Sequence, residues 1–128
     1  MPAYDDRSFH PPAPVAVVDL YASDGSRSAT EGVPVLLDSG ADITLLPKAA
    51  VLALGVETLP ESYVLEGFDG RRSQAGAVQL AMVFLGRTFR GRFLLIDQPI
   101  GILGRNVLNH VRLTLDGPNR LWSEPTHE

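Results

Sequence analysis

The chain contains no cysteine in its 128 residues. Disulfide staples, thiolate zinc sites and a cysteine nucleophile are therefore excluded, and the usage accords with a reducing compartment. Long hydrophobic runs are missing too, since no stretch approaches the roughly 20 apolar residues of a membrane span. The opening Met1-Pro2-Ala3-Tyr4-Asp5-Asp6 is neither basic nor apolar in the manner of a signal peptide. The expectation is an uncleaved cytoplasmic protein with no membrane partner. Positive charge is in deficit, with 11 Lys and Arg against 15 Asp and Glu and a net charge of -4. No basic field exists to release counterions, so nucleic acid is not an expected partner. His10, His110 and His127 are scattered without the spacing of metal ligands, and neither a metal nor a cofactor is expected.

What is present is the composition of an ordinary folded domain, 45% hydrophobic and 20% charged. At this length one domain buries about two thirds of the surface its unfolded chain exposes. Pro2, Pro11, Pro12 and Pro14 bar a regular helix from the start of the chain. Residues 1–14 are thus expected to form a flexible arm, residues 15–123 the domain and residues 124–128 a polar tail. Val15 to Tyr21 is rich in β-branched residues, Asp24-Gly25 is a hairpin turn signal, and Gly32 to Leu37 resumes an extended apolar run. Ile43 to Leu46 reads as a short strand. Pro47 then opens a helix through Leu54 that Gly55 closes, proline first and glycine last.

Tyr63 to Leu65 and Ala75 to Leu85 read as strands around the polar tip Glu66-Gly67-Phe68-Asp69-Gly70-Arg71-Arg72. A strand from Phe89 to Ile96, a short helix from Asn106 to His110 and a strand from Arg112 to Asp116 follow. The turn Asp116-Gly117-Pro118-Asn119 leads into Arg120-Leu121-Trp122. Many short strands, frequent Asp-Gly turns and two short helices predict a mostly β barrel or sandwich.

Two segments carry chemistry. Val33-Pro34-Val35-Leu36-Leu37-Asp38-Ser39-Gly40-Ala41-Asp42 is an apolar strand that delivers one carboxylate into a tight Ser-Gly turn. Burial and a second like charge at such a place can tune Asp38 for acid/base work. Further along, Gly101-Ile102-Leu103-Gly104-Arg105-Asn106-Val107-Leu108 offers two apolar residues, a glycine and a helix start able to pack beside that turn. Asp38-Ser39-Gly40-Ala41-Asp42 and Ile102-Leu103-Gly104-Arg105-Asn106 together resemble the marker segments of the retropepsin-like aspartic protease family, in its single-domain bacterial or cellular type. A tripeptide recurs by chance, whereas two motifs in this order with a Gly-rich hairpin between them are far more specific. The resemblance covers most of residues 15 to 122. It implies a closed β-barrel of the acid protease fold with one or two short helices and a β-hairpin flap, here Tyr63 to Ala77.

The activity implied is that of an aspartic endopeptidase. Such hydrolysis needs two carboxylates that share one proton, one acting as base on a water and the other donating to the carbonyl oxygen. The remaining Asp-Gly pairs, Asp24-Gly25, Asp69-Gly70 and Asp116-Gly117, lie in polar turns with no strand to bury them. The second carboxylate is therefore expected from Asp38 of a second copy in a symmetric homodimer. Two carboxylates about 3 Å apart cannot both ionise easily, which predicts activity at acidic to mildly acidic pH.

By resemblance, the catalytic residues are Asp38, Ser39 and Gly40. Gly40 admits substrate backbone because it lacks a Cβ, and Ser39 hydrogen-bonds across the dyad, having no identifiable histidine partner that would make it a nucleophile. Substrate contacts fall to Ala41, Asp42, Gly67, Phe68 and Leu103. Structural support falls to Gly104 and Arg105, with the Arg105 guanidinium paired to the Asp42 carboxylate. The expected partners are a peptide or protein substrate and a second copy of the chain. The alternative is a non-catalytic peptide-binding or regulatory module on the same fold.

Overall fold

A computed structural model describes residues 2–24, 26–67 and 69–125. Expectations that rest on Gly25, Phe68, His127 and residues 126–128 of the tail lie outside the described residues. The elements in chain order are β1 (Tyr4–Asp5), β2 (Ala13–Ala22), β3 (Ala29–Leu37), β4 (Leu45–Pro47), α1 (Lys48–Leu54) and β5 (Ser62–Glu66). They continue with β6 (Arg72–Phe84), β7 (Arg87–Ile96), β8 (Gly101–Leu103), α2 (Arg105–Leu108), β9 (Thr114–Asp116) and β10 (Leu121–Ser123). Strands β2, β3, β8, β4, β7 and β6 are neighbours in that order, and β6 pairs back onto β2. The result is the mostly β closed barrel with two short helices that the sequence predicts.

Side chains of period two build the core. Strand β2 buries Ala16, Val18 and Leu20 and leaves Val17 63% exposed, while β6 buries Val78, Leu80, Met82 and Phe84. The β6–β7 ladder runs from Ala77 opposite Leu94 to Phe84 opposite Arg87. Leu85 and Gly86 close it with φ values of 52° and 74°, the two positive φ values of the turn that best follows strand twist. Helix α1 begins after Pro47 and ends on Gly55, whose φ of 80° is left-handed, as the sequence predicts. In β3 the register against β2 shifts between Val18 and Leu20. Gly32, at φ 70°, absorbs that bulge and donates its N–H to the Asp19 carboxylate at 2.9 Å.

Strand β8 has no counterpart in the sequence reading, because three residues carry too little periodicity to register. It lies parallel to β3, with Leu37 opposite Leu103, and touches β4 at Leu45 opposite Ile102. A Cβ at Gly101 would stand 2.5 Å from the Leu45 carbonyl oxygen and 2.8 Å from the Pro47 ring, so the crossing of these strands admits only glycine there.

The N-terminal arm departs from expectation. Instead of hanging loose, Tyr4 and Asp5 pair with Pro14 and Ala13, and Ala3 bridges to Leu121. The Tyr4 N–H donates to the Arg120 carbonyl at 2.9 Å and the Trp122 N–H to the Pro2 carbonyl at 3.1 Å. Prolines bar a helix but leave extended pairing at a sheet edge open. The Asp5 carboxylate accepts the N–H groups of Ser8 and Arg7, each at 2.8 Å. Those two bonds, Ser8 first, hold its carboxyl below the usual carboxylate range. Strand β10 is consequently paired on both edges, by β9 and by the arm.

Trp122 plugs the barrel at this end. It is 2% exposed, its ring centroid lies 6.2 Å from that of Phe84, and its Nε1–H donates to the Val15 carbonyl at 3.0 Å. Trp122→Ala is expected to cost about 3–5 kcal/mol, read as a lowered urea midpoint. Val17→Ala on the outer face is expected to move that midpoint by no more than about 0.5 kcal/mol equivalent.

Candidate active site

Asp38 follows the last residue of β3, where β8 runs parallel beside it. The Asp38 N–H donates to the Leu103 carbonyl at 3.1 Å, the Ala41 N–H to the Asp38 carbonyl at 3.2 Å, and the Arg105 N–H to the Ala41 carbonyl at 2.8 Å. One Asp38 carboxylate oxygen accepts the Gly40 N–H at 2.9 Å, the closed loop of an Asx-turn. Residues 38–41 are thus stitched at their start to the end of β8 and at their end to the first residue of α2. Asp38 is half-buried, while Ser39, Gly40 and Asp42 are exposed.

Behind the turn lies a polar clasp absent from the sequence-derived site residues. Thr44, fully buried, accepts the Gly104 N–H on its Oγ1 at 3.0 Å and donates that hydroxyl to Asn106 Oδ1 at 2.7 Å. Its signal was a threonine inside the apolar run Ile43-Thr44-Leu45-Leu46, where a buried hydroxyl requires partners. At Gly104 a Cβ would meet the Ile43 backbone, 2.6 Å from its carbonyl carbon.

Arg105 supports the turn by a different route from the one expected. Its guanidinium donates to the Ser39 carbonyl at 2.8 Å, and among the described residues no ion pair within 4.0 Å joins it to Asp42. Both side chains are exposed, where an ion pair gains little over hydration, whereas the Ser39 carbonyl is fixed by the turn and presents a ready acceptor.

A cleft of about 610 Å³ opens at the turn, lined by Asp38, Gly40, Ala41, Asp42, Ile43 and Leu45 on the floor. Leu65, Glu66, Gly67 and Ser73 of the β5–β6 hairpin and Ile102 of β8 complete it. Ala41, Asp42 and Gly67, expected substrate contacts, are among its lining residues. Leu103 is not: it is fully buried in the main core, and its neighbour Ile102 lines the cleft in its place, because alternate residues of a strand face opposite sides. Ser39 contributes its backbone to Arg105 and does not line the cleft. Phe68 lies outside the described residues.

The cleft's apolar wall is a satellite core, in which Leu45, Ala75, Ala77 and Leu94 are buried and Ile43, Tyr63, Leu65 and Ile102 pack half-buried against them. The hairpin tip is closed by bonds from the Gly67 N–H to the Arg71 carbonyl at 2.9 Å and from the Gly70 N–H to the Gly67 carbonyl at 3.0 Å. Asp69 and Arg71 face each other at 3.3 Å and neutralise the tip locally. Among the described residues no group of three or more His, Asp or Glu is placed to hold a metal ion. Three carboxylate residues line the cleft, Asp38 half-buried and Asp42 and Glu66 exposed, and the Asp38 carboxylate can take or give one proton there.

Residues 24–107 match a family described as aspartyl protease. A solved structure of EIAV protease complexed with the inhibitor HBY-793 is similar to this chain at 27% identity and a TM-score of 0.57, over 77% of this chain and 86% of that one. The matched span of residues 24–107 includes the Asp38 turn, the hairpin, β8 and the first residues of α2.

Thr44→Val strands the buried Gly104 N–H, at an expected cost of about 1–3 kcal/mol in thermal melts, whereas Asn106 is exposed and can bond water instead. Thr44→Ser keeps the hydroxyl and is expected to recover most of that loss in the same thermal melts. Arg105→Ala, which removes one exposed bond, is expected to cost no more than about 1.5 kcal/mol.

Proposed function

We propose, from the premise that this chain belongs to the aspartyl protease family, that it is an aspartic endopeptidase whose two catalytic carboxylates are the Asp38 side chains of two copies. The observation that carries the reading is the Asp38 turn itself, pinned by Leu103, Ala41 and Arg105 backbone bonds in a cleft that the β5–β6 hairpin also lines. The EIAV protease to which the chain is similar is complexed with an inhibitor, and the likeness in fold supports the same chemistry here.

In this mechanism one Asp38 carboxylate is ionised and the other protonated. The ionised group takes a proton from a water as that water's oxygen bonds to the scissile carbonyl carbon, and the protonated group donates to the carbonyl oxygen. A neutral gem-diol results. Collapse of the gem-diol returns a proton to a carboxylate, protonates the leaving nitrogen and breaks the C–N bond. The Gly40 N–H, which holds Asp38 Oδ1, fixes the direction in which the carboxylate faces its partner. Ile43, Leu45, Leu65 and Ile102 receive aliphatic side chains of the peptide. The hairpin of residues 62–76 serves as a flap that closes over bound peptide and excludes water. Strand β10 is already paired on both edges within one chain, so the second copy docks through the surface around the Asp38 turn without adding a terminal strand.

The test is cleavage of a diverse peptide library from acidic to neutral pH over a dilution series, with Asp38→Asn in parallel. Expected are activity that is highest at acidic pH, falls more steeply than linearly on dilution, and disappears in Asp38→Asn. Cleavage undiminished in Asp38→Asn would sink the catalytic assignment. Binding of peptides without cleavage at any concentration would favour a peptide-binding module.

A further inference from the structure

Strand β5 is the last strand of the sheet, and among the described residues its only strand neighbour is β6. It pairs with β6 from Arg72 to Gly76, whereas β7 pairs with β6 from Ala77 to Phe84. The hairpin therefore extends beyond the last rung that ties β6 to the barrel. Besides β6 itself, a backbone bond from the Leu59 N–H to the Ala77 carbonyl at 2.8 Å steadies its base. A side chain of the barrel, Arg92, does so too. Arg92 stands on β7 opposite Gln79, and its NH1 donates to the Tyr63 hydroxyl at 3.0 Å and lies 3.7 Å from Glu61 Oε2.

Tyr63 sits at both ends of this connection. Its hydroxyl meets Arg92, and its ring packs half-buried in the satellite core with Leu45, Leu65 and Ile102, all three of which line the cleft. We propose that Arg92 is a positioning residue for the cleft: by holding the Tyr63 hydroxyl it sets the height of the β5–β6 hairpin, and of Leu65 upon it, over the Asp38 turn. One guanidinium nitrogen, Nη1, serves both the phenol and the Glu61 carboxylate. The phenol first, and Glu61 second, raise the Arg92 proton affinity above its ordinary value, in keeping with a cation held by both. Arg90, exposed two residues earlier on the same strand, forms none of the ion pairs among the described residues and provides the control.

The test uses the full chain with Tyr63→Phe, Arg92→Gln, the double variant and Arg90→Gln. Hydrogen exchange of the amides of residues 62–66 and 72–76 is expected to accelerate about five-fold or more in Tyr63→Phe and in Arg92→Gln. Amides of residues 33, 35–37 and 101–103 are expected to keep their rates, as is every amide in Arg90→Gln. The double variant is expected to be no faster than the faster single one, since both mutations break the same link. With peptide substrate, KM is expected to rise several-fold while kcat and the melting midpoint stay within about two-fold and about one degree. Unchanged hairpin exchange in either single variant, additive effects in the double one, or an unchanged KM beside faster exchange would each overturn the proposal. The kinetic arm rests on the protease reading and the exchange arm does not, so absence of Asp38-dependent cleavage would fail that reading while exchange alone still decides the role of Arg92.

Discussion

The Thr44 hydroxyl joins two segments that lie about 60 residues apart in the chain. It takes the Gly104 N–H in the buried interior and gives its own proton to Asn106, a residue exposed at the surface. A buried hydroxyl of this kind is costly when unpaired and directional when paired. It therefore forces β4 and the start of α2 into one relative position. The Asp38 turn inherits that position, since its last residue, Ala41, accepts the Arg105 N–H one residue after Gly104. Displacement of either segment would break the clasp and the turn together.

Sterics tighten the same crossing. Gly101 and Gly104 bracket β8, and a side chain at either would collide with the backbone of β4 or of Ile43. Between them, Ile102 and Leu103 face opposite ways, one to the cleft and the other to the main core. The four residues Gly101-Ile102-Leu103-Gly104 thus divide the work, with two allowing close approach, one shaping the site and one filling the barrel. The barrel supplies rigidity through its ladders and through Trp122. The cleft belongs to a smaller satellite core with more half-buried than buried members, and regions with fewer buried contacts open more readily.

Much of this was legible before folding. Alternation along β2 and β6, the Pro47 and Gly55 boundaries of α1, and the hairpin around the Glu66 to Arg72 tip are local signals of period and turn chemistry. The pair of motifs at Asp38 and Ile102 was readable as well, and both lie at one site. Other features were beyond local reading. The arm's prolines signalled the absence of helix but said nothing of the Leu121 edge awaiting Ala3. Arg105 and Asp42 had suitable charges, yet the guanidinium took the nearer fixed carbonyl of Ser39. Leu103 and Ile102 are chemically interchangeable in a sequence, and only the strand's orientation assigns one to the core and the other to the cleft.

The sequence by itself determined most of the longer strands and turns, the carboxylate delivered at the end of β3 and the glycines at the two ends of the Gly101 to Gly104 segment, because these depend on period two, on φ preferences and on residue type within a few positions. Tertiary structure alone decided which residue of β8 faces the cleft, that Thr44 clasps Gly104 and Asn106, that the arm closes over β10, and that Arg92 reaches Tyr63. Those outcomes depend on which backbones meet across long separations in the chain. A hydrogen bond between such segments is chosen by distance and burial in the folded barrel, quantities that residue order does not contain.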